Sequence, residues 1–374
     1  MEISIVEVTN KKLMNAFLDL PYELYKNNPY NVPALRFDEA NTLDPKKNPA
    51  FDHCEAKYWL AYQNNKVVGR IAGIYHKAYV EKWNNKYLRF GWIDFIDNIE
   101  VARALLNTVE NWAKEKNLTA VHGPLGFTDL DYEGMLVEGF EERGTMATIY
   151  NYPYYPKMME ALGYAKDVDW VEYRVNVPAK TADKIHKIAE LVKKRYQLKI
   201  VKFKKAKDLL PYAKQIFQLI NETYSDLYGV VELTDKQISY YTKMYFSMIK
   251  TEFIILIADK NDKLVAVGIT MPSLSAALQK AKGSLFPFGF IHLLKALKKN
   301  NEADMLLVGI DKAYQGKGVN ALVLQQTNEA FNRNGIVIAE SNPELEENTK
   351  VQSIWDDFDA RQHKRRRCFI KQLS

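Results

Sequence analysis

Two stretches of the chain place apolar runs on either side of a short polar turn. Residues 58–75 read YWLAYQNNKVVGRIAGIY, with the turn at Asn64, and residues 253–271 read FIILIADKNDKLVAVGITM. Apolar runs of this length that flank a polar turn predict β-hairpins. The two hairpins align at an offset of about 197 residues, which pairs Val68 with Val265. A repeated pattern of this kind indicates an internal duplication.

A second pair of segments falls at the same offset, near the end of each half. NYPYYPKMMEALGYAK begins at Asn151, and NTKVQSIWDDFDARQH begins at Asn348. Each precedes a strand-like segment, WVEYRVNV at 170–177 and RCFIKQL at 367–373. Two correspondences at one offset predict a tandem arrangement of two similar domains.

The duplication divides the chain into three parts. It predicts an N-terminal domain at 1–178, a connector at 179–197 and a C-terminal domain at 198–374. The connector has apolar residues at helical spacing among lysines, so we expect a helix there. Each half reads helix, helix, hairpin, strand, helix, strand, helix, strand. Strands followed by crossover helices predict an α/β (α+β) fold, with a mixed, partly parallel sheet flanked by helices in each half.

Composition and charge are those of a globular protein with a mildly basic surface. The 374 residues are 47% hydrophobic and 26% charged, with a formal net charge of +6 that favours an anionic ligand. No uncharged apolar stretch is long enough to span a membrane, and the first residues lack a signal-peptide core, so we expect a cytoplasmic protein. Cys54 and Cys368 are predicted to be free thiols. The six histidines show no paired spacing that supports a metal site.

An apolar run ends in a glycine-containing loop within DMLLVGIDKAYQGKGVNALVLQQTNEAF, and a predicted helix follows at once. A strand, a glycine turn and a helix start bring free backbone N–H groups and the positive helix end to one concavity. Gly316 and Gly318 remove side chains that would block a phosphate, and Lys317 supplies positive charge at the rim. The alternative is a glycine turn of structural use only.

This order of elements and this loop resemble the GNAT acetyltransferase superfamily, whose acyl-CoA motif reads Gln/Arg-x-x-Gly-x-Gly/Ala after the fourth strand. Gln315 and Gly318 match that motif, while Asn320 replaces its last small residue. Over the whole chain, HGPLGFTDLDYEGMLVEGF, NYPYYPKMMEALGYAKDVDW and GSLFPFGFIHLLKALKK resemble a bacterial tandem-GNAT family of unknown substrate.

The resemblance implies an acyl-CoA site, for acetyl-CoA or another acyl-CoA, in the second half. Such enzymes transfer the acyl group directly to an amine, here a small molecule or a peptide. The residues implied to meet the pantetheine and acyl carbonyl are Leu307, Val308, Gly309 and Ile310. Those implied to hold the pyrophosphate are Gln315, Gly316, Lys317, Gly318, Val319 and Asn320.

Candidate catalytic residues lie at the ends of the two strands that flank the implied site. Asp311 and Glu340 are candidate general bases, although a loop cap and a solvated strand end explain them equally well. Family members often place at the position of Trp355 a tyrosine that protonates the departing thiolate. A tryptophan cannot do so, which leaves Tyr314, another tyrosine or water as the general acid. Three residues between the two leading helices of the second half either line an acceptor pocket or simply pack: Tyr224, Tyr228 and Glu232.

The first half lacks the glycine loop. After the predicted strand Phe90 to Phe95 the sequence continues IDNIEVARALLNTVENW, and Asp94, Asp97 and Glu100 put negative charge at the expected helix start. Acidic residues there stabilise the helix dipole and repel phosphate, so we expect no CoA in this half. The segment from Gly123 to Tyr150 is a candidate lid or acceptor loop, or a structural wrap.

Two basic segments have competing interpretations. Residues 283–300 place Leu285, Phe288, Ile291, Leu294 and Leu297 at helical spacing, which suits an acyl-chain lid, a membrane-surface contact or, as we favour, packing onto the partner half. The run HKRRRC at 363–368 suits RNA or the CoA 3′-phosphate, but a solvated strand edge is favoured, and we do not expect a nucleic-acid partner.

The sequence therefore predicts an acyl-CoA-dependent N-acyltransferase, and favours an N-acetyltransferase, with the acceptor at the junction of the halves. Two alternatives stay open. One is a tandem-GNAT transferase with a long-chain acyl or aminoacyl-tRNA donor. The other is a noncatalytic CoA-binding protein.

Overall fold

The strands of the computed structural model follow the apolar runs of the sequence, and the structure describes residues 2–246 and 249–373. The strands are β1 Ile3–Glu7, β2 Cys54–Gln63, β3 Lys66–His76, β4 Tyr87–Phe95, β5 Ala120–Gly123, β6 Met135–Glu138, β7 Ala165–Asn176, β8 Lys199–Val201, β9 Ile254–Ala258, β10 Leu264–Pro272, β11 Glu302–Ile310, β12 Ile338–Ser341, β13 Glu344–Leu345 and β14 Ala360–Gln372.

The helices begin at recognisable caps. Asn10, Asn98 and Thr234 each accept a hydrogen bond from a first-turn N–H of the helix that follows. The helices are α1 Lys11–Leu24, α2 Arg36–Thr42, α3 Lys77–Trp83, α4 Ile99–Glu115, α5 Tyr154–Ala161, α6 Asp183–Arg195, α7 Ala213–Tyr224, α8 Asp235–Tyr245, α9 Ser275–Ala281, α10 Gly289–Lys298, α11 Val319–Arg333 and α12 Thr349–Gln352.

Both predicted hairpins are present. β2 and β3 pair antiparallel across Asn64 and Asn65, whose φ angles are 51° and 61°. β9 and β10 pair in the same way, with Asp262 at a φ of 63°. Asparagine and aspartate tolerate this left-handed conformation better than most residues, which explains why they stand in these turns.

The chain forms two compact units, and each unit contains segments from both halves of the sequence. Unit 1 contains the residues up to Val171, Ser275–His292 and the chain from His363 onward. Unit 2 contains Glu172–Leu274 and Leu293–Gln362. The last strand of the chain therefore completes unit 1, so these units differ from the predicted division at 1–178 and 198–374.

Unit 1 orders its strands β1-β2-β3-β4-β5-β14, with β4 and β5 parallel and the other neighbours antiparallel. Helix α4 covers this sheet with Val101, Leu105, Val109 and Trp112, all at most 5% exposed. These residues recur every three or four positions, so they lie on one face of the helix.

Unit 2 orders its strands β8-β9-β10-β11-β12, followed by the end of β7. β11 and β12 are parallel, whereas the other pairs are antiparallel. Each unit thus has the predicted mixed, partly parallel sheet. The predicted connector does form a helix, α6, but its residues Ile185, Ala189 and Val192 are buried in the core of unit 2.

The basic run 363–368 is not a solvated edge, so that interpretation is wrong. β14 pairs with β5 on one side and with β6 on the other, and Lys364 and Arg366 are each 1% exposed. Arg367 donates from Nε to Asp169 Oδ1 at 2.8 Å, and Arg365 donates to the same carboxylate. A buried charge is tolerated where it is paired and hydrogen-bonded.

Candidate functional site

In unit 2, β11 separates from β12 halfway along its length. Glu302–Met305 pairs with Ile338–Ser341, and the described residues show no pairing of these two strands beyond that register. β11 also bulges against β10 at this point. We call the point at which the two strands separate the fork. Asn342 lies there: its N–H donates to Met305 O at 3.0 Å and its Nδ2 donates to Leu306 O at 2.9 Å. The second half of β11 therefore has one edge free of sheet pairing.

Tyr224, at the end of α7, covers that free edge. Its hydroxyl donates to Val308 O at 3.0 Å and accepts from Val308 N at 3.3 Å. Val308 is 47% exposed, whereas Gly309 is buried and lies close to Thr223 of α7. Of the residues implied to meet the pantetheine, Val308 can therefore offer its backbone N–H and C=O only if Tyr224 moves.

The loop after β11 uses both glycines in the left-handed conformation. Gly316 has a φ of 70° and Gly318 a φ of 82°, and α11 begins directly afterwards at Val319. Within the ranges 2–246 and 249–373, no protein acceptor bonds the N–H groups of these two glycines. The loop thus offers the free donors and the helix start that a phosphate requires.

The two glycines face different surroundings. A Cβ atom at Gly318 would lie 3.0 Å from Ile188 and 3.1 Å from Val192 on α6, so this glycine is needed for packing as well as for its φ angle. A Cβ atom at Gly316 would meet nothing within 4 Å. The open side of the loop is therefore at Gly316.

Side chains of the loop contact the strand before it and two nearby tyrosine rings. Gln315 Nε2 donates to Ile310 O at 3.0 Å. The Lys317 ammonium lies 5.7 Å from the ring centroid of Tyr196 and 5.8 Å from that of Tyr314. Burial is the main cause that raises the pKa of Tyr314 above its usual value. The Lys317 side chain therefore lies beside two aromatic rings at the loop.

Asp311 acts as a cap in this structure. Its Oδ1 accepts from Ala313 N at 2.8 Å, and its Oδ2 pairs with Lys263 Nζ at 2.8 Å. Burial raises its pKa, but the hydrogen bonds from Lys263 and Ala313 outweigh burial and leave the pKa lower than usual. A carboxylate held in its charged form in this way is a weak general base.

Glu340 lies far from Asp311. It stands opposite Asp304 in the register of β11 and β12, seven residues before Asp311 and thus roughly 20 Å away at about 3.3 Å per residue. Glu340 also pairs with Arg174 of β7 at 2.5 Å. The two predicted bases are therefore not brought together, and Glu340 is not a solvated strand end.

Glu344 is a candidate that the sequence analysis missed. It follows the fork residue Asn342 by two positions, and both of its oxygens accept from Trp355 Nε1 at 3.1 Å. Burial raises its pKa to about 7, although bonds from Trp355 and Ser341 oppose the shift. The sequence feature that could have pointed to Glu344 is Trp355, whose ring stacks on that of Tyr173 with 5.8 Å between the ring centroids. Trp355 thus positions a carboxyl group rather than supplying a proton.

In unit 1, β4 separates from β5 in a similar way. Tyr87–Arg89 pairs with Ala120–His122, and β4 then continues to Phe95. Phe95 N donates to Tyr155 OH at 2.9 Å, and Tyr154 OH donates to Phe95 O at 2.7 Å. In unit 1 the hydroxyls of the buried Tyr155 and the half-buried Tyr154 therefore bond the backbone of Phe95 in β4.

Asp94 does not stand at a helix start, so that part of the charge prediction is wrong. It is 7% exposed in β4, where its Oδ2 accepts from Arg70 Nε at 2.7 Å and its Oδ1 accepts from Tyr25 OH at 2.9 Å. The start of α4 is capped by Asn98, which accepts from Glu100 N at 3.0 Å. This helix start is capped by the side chain of Asn98 and contains no glycine, and the absence of CoA binding in this half stays a prediction.

A cavity of about 80 Å³ lies at the fork of unit 1. The segment from Gly123 to Tyr150, predicted as a lid or acceptor loop, supplies part of its wall. Aromatic and charged side chains from α1 and its C-cap, α2, β3 and β4 also line it: Tyr22, Tyr25, Glu39, Arg70, Trp92 and Asp94.

The two cysteines are free and buried, as predicted. The fold nevertheless gathers each of them with two other possible metal ligands, a clustering that sequence spacing did not reveal. In one cluster, His76 already caps α3 by accepting from Tyr79 N at 3.1 Å, and burial lowers its pKa to about 2. The clusters are His53 with Cys54 and His76, and His122 with Asp167 and Cys368.

Comparison with known proteins gives two curated relatives and a set of similar solved structures. Protein YghO of Escherichia coli (strain K12) is 28% identical over an alignment 373 residues long, and the alignment covers 97% of this chain and 94% of that protein. Bacterial ceramide synthase of Caulobacter vibrioides (strain NA1000 / CB15N) is 24% identical over an alignment 322 residues long, which covers 84% of this chain and 82% of that protein. No protein-family model matches the chain.

A tandem GNAT protein from the clavulanic acid biosynthesis pathway superposes on the whole chain. The TM-score is 0.58, with 11% identity over 99% of this chain and 98% of that protein. The chain has the tandem GNAT fold. Within this tandem GNAT fold, the glycine loop follows β11 of unit 2, and the corresponding place in unit 1 is the self-capped start of α4.

The segment 283–300 of this tandem GNAT fold exposes apolar side chains. Phe286 is 78% exposed, Phe288 is 69% exposed and Leu294 is 61% exposed, while Leu293 is buried. The prediction that Phe288 and Leu294 pack onto the protein is therefore wrong. None of the described helices is both long enough and apolar enough to cross a membrane.

Proposed function

We propose that the protein is an acyl-CoA-dependent N-acyltransferase whose donor site is the loop from Gln315 to Asn320. The observation that supports this most directly is the pair of left-handed glycines, with unbonded N–H groups, between a strand with a free edge and the start of α11. The tandem GNAT fold, which other acyltransferases share, supports the reaction class.

The residues present fit this donor. The N–H groups of the loop and the Lys317 ammonium match a pyrophosphate, and the Val308 backbone groups match an extended amide chain once Tyr224 has moved. A bound acyl-CoA supplies the thioester carbonyl that the acceptor nitrogen attacks. The C–N bond forms as the C–S bond breaks, and the amine proton passes to a base of the protein.

Glu344 is our proposed base. It lies in the segment that leaves the fork, and a pKa of about 7 lets it accept a proton near neutral pH and release it afterwards. Asp311 and Glu340 remain candidates, but each is already held in an ion pair. Tyr314 or Tyr224 would return a proton to the departing thiolate.

Calorimetric titration of CoA and acetyl-CoA tests the donor site, with Gly316→Glu as the probe. The new side chain would enter the open side of the loop and carry negative charge to the expected phosphate position. Gly335→Glu is the matched control, because Gly335 also has a positive φ of 72° and open space around it, but follows the other end of α11. Both substitutions therefore introduce similar backbone strain.

We expect the wild type and Gly335→Glu to bind CoA, and Gly316→Glu to bind at least about tenfold more weakly, as repulsion between charges a few ångströms apart implies. Absence of binding by the wild type, or equal binding by Gly316→Glu, would contradict the proposed site. Release of free thiol from acetyl-CoA across a panel of amines then separates an enzyme from a noncatalytic CoA-binding protein.

An acceptor or donor with a long apolar chain is the second candidate. The relative named bacterial ceramide synthase supports this class of substrate. The exposed Phe286, Phe288 and Leu294 support contact with a lipid surface, and the surrounding residues 275–300 include five lysines and no acidic residue. Apolar side chains beside lysines suit an anionic membrane surface.

Sedimentation with vesicles tests this second candidate. We expect binding to vesicles that contain phosphatidylglycerol, weaker binding to phosphatidylcholine alone, and loss of binding in Phe286→Ser/Phe288→Ser. Leu191→Ser/Leu210→Ser is the control, since Leu191 and Leu210 are 62% and 53% exposed elsewhere. Equal sedimentation of both double variants would refute the assignment of the surface to this segment.

A further inference from the structure

The cavity of unit 1 is built around a tryptophan in a strained conformation. Trp92 has a φ of 44°, which is unusual for a bulky residue and costs about 1 to 3 kcal/mol. It lies where β4 bulges against β3, next to the position at which β4 leaves β5. A bulge at such a position redirects a side chain, and here the indole Nε1 donates to Glu39 Oε2 at 2.7 Å.

Glu39 presents an unused acceptor to the cavity. It is only half-buried, because the cavity reaches it, and among the described residues its Oε1 accepts no hydrogen bond. Burial raises its pKa to about 7, while the nearby Arg70 lowers it. Asp38 and Asp131 raise it further. A cation that entered the cavity would therefore gain a strong ion pair with this carboxylate.

The other charges of the cavity wall are already balanced. Arg70 Nε donates to Asp94 Oδ2 at 2.7 Å, and the remaining oxygen of Asp94 accepts from Tyr25 OH. Tyr25 OH in turn bonds Tyr155 OH at 2.9 Å. This network fixes the wall, and it leaves Glu39 as the lining residue whose negative charge has no direct cationic partner in the described chain.

The rest of the wall suits an organic cation better than a metal ion. Tyr22, Tyr25, Trp92, Tyr150 and Tyr155 line the cavity, and aromatic faces attract ammonium groups while accommodating an apolar body. A divalent metal ion would require several oxygen or nitrogen ligands around one point. Among the described residues that line the cavity, Glu39 offers one carboxylate oxygen without a hydrogen bond.

We propose that unit 1 contains a binding site for a small organic amine, in which Glu39 pairs with the ammonium group and the aromatic wall holds the carbon skeleton. All of the residues that form it belong to unit 1, so the site stands whether or not the loop of unit 2 binds CoA. If unit 2 binds the acyl donor, the amine bound by unit 1 belongs to the chemical class of an N-acyltransferase's acceptor substrates or regulators.

Benzylamine and benzyl alcohol are the probes, because they have nearly the same shape and differ in charge at pH 7.5. Calorimetric titration of the full chain reports binding. We expect benzylamine to bind at least about tenfold more tightly than benzyl alcohol, the factor expected for a charge-assisted contact. Equal binding of the two probes, or no binding of benzylamine at 20 mM, would overturn the proposal.

Glu39→Gln tests the residue, since its amide oxygen can still accept from Trp92 Nε1. We expect this variant to bind benzylamine about tenfold more weakly and benzyl alcohol unchanged. Glu23→Gln, at an exposed carboxylate on α1, should bind both probes as the wild type does. Unchanged benzylamine affinity in Glu39→Gln would refute the role of Glu39. If that variant does not fold, the comparison of the two probes on the wild type remains decisive.

Discussion

Removal of the Tyr224 hydroxyl is expected to strengthen the binding of CoA. In the structure this hydroxyl makes two hydrogen bonds to Val308, at 3.0 Å and 3.3 Å. A ligand that uses the Val308 backbone must first break both of them. Tyr224→Phe removes that competition and keeps the ring, so the free energy otherwise needed to open the edge of β11 becomes available to binding.

The size of the effect follows from the exposure of these groups. Val308 is 47% exposed, so water can replace the tyrosine hydroxyl, and the net stabilisation lies at the low end of the range for hydrogen bonds. We take it as about 0.5 to 1 kcal/mol in total. The affinity for CoA should therefore rise about two- to fivefold, and the free energy of unfolding should fall by about the same 0.5 to 1 kcal/mol.

Calorimetry on the wild type, Tyr224→Phe and Tyr212→Phe measures this effect. Tyr212 precedes the other end of α7, and its hydroxyl makes no hydrogen bond within the described chain, so its loss should change neither affinity nor stability. If Tyr224→Phe lowers stability but leaves the affinity for CoA unchanged or weaker, the Val308 backbone is not a ligand contact. The reasoning about a covered donor site would then be refuted.

Three further predictions concern unit 1. Arg70→Met should lower the free energy of unfolding in urea by about 3 to 5 kcal/mol, because it leaves the buried Asp94 unpaired; a loss below about 1 kcal/mol would contradict the buried pair. Burial lowers the pKa of His76 from 6.5 to about 2, so the folded state resists a proton that the unfolded state accepts. This histidine should therefore lower the free energy of unfolding by up to about 1.4 kcal/mol for each pH unit below pH 6.5. The variant His76→Asn can still accept the hydrogen bond from Tyr79 N, and its urea midpoint should depend less on pH. Burial raises the pKa of the Cys54 thiol to about 12, so a disulfide reagent at pH 8 should label it only on unfolding; rapid labelling of the native protein would contradict this.

Local patterns were sufficient to predict the hairpins and the glycine loop. The turn at Asn64 and the positive φ angles of Gly316 and Gly318 depend on residues next to each other in the chain, so the sequence carries their signal directly. Helix α6 was predicted for the same reason, from the spacing of residues such as Ile185 and Ala189.

Features that depend on long-range pairing were predicted poorly. Asp94 was read as charge at a helix start because α4 follows it, yet its partner Arg70 lies one strand earlier. The basic run around Lys364 was read as a solvated edge because it ends the chain, yet β14 pairs on both sides in unit 1. Glu344 was overlooked because its raised pKa results from burial near Trp355, which no short motif encodes.

The same backbone device appears in both units, and its difference indicates how their roles differ. Beyond the fork of each unit, tyrosine hydroxyls bond the N–H and the C=O of one strand residue, Phe95 in unit 1 and Val308 in unit 2. In unit 1 the N–H is bonded by Tyr155, which is 0% exposed and tied to Tyr25, so its removal would disrupt the core. In unit 2 both groups are bonded by the single, half-buried Tyr224. The edge in unit 2 can therefore open for an extended ligand beside a loop that suits a pyrophosphate. The fork of unit 1 stays closed along its strand, and the cavity behind it can accept only a compact molecule.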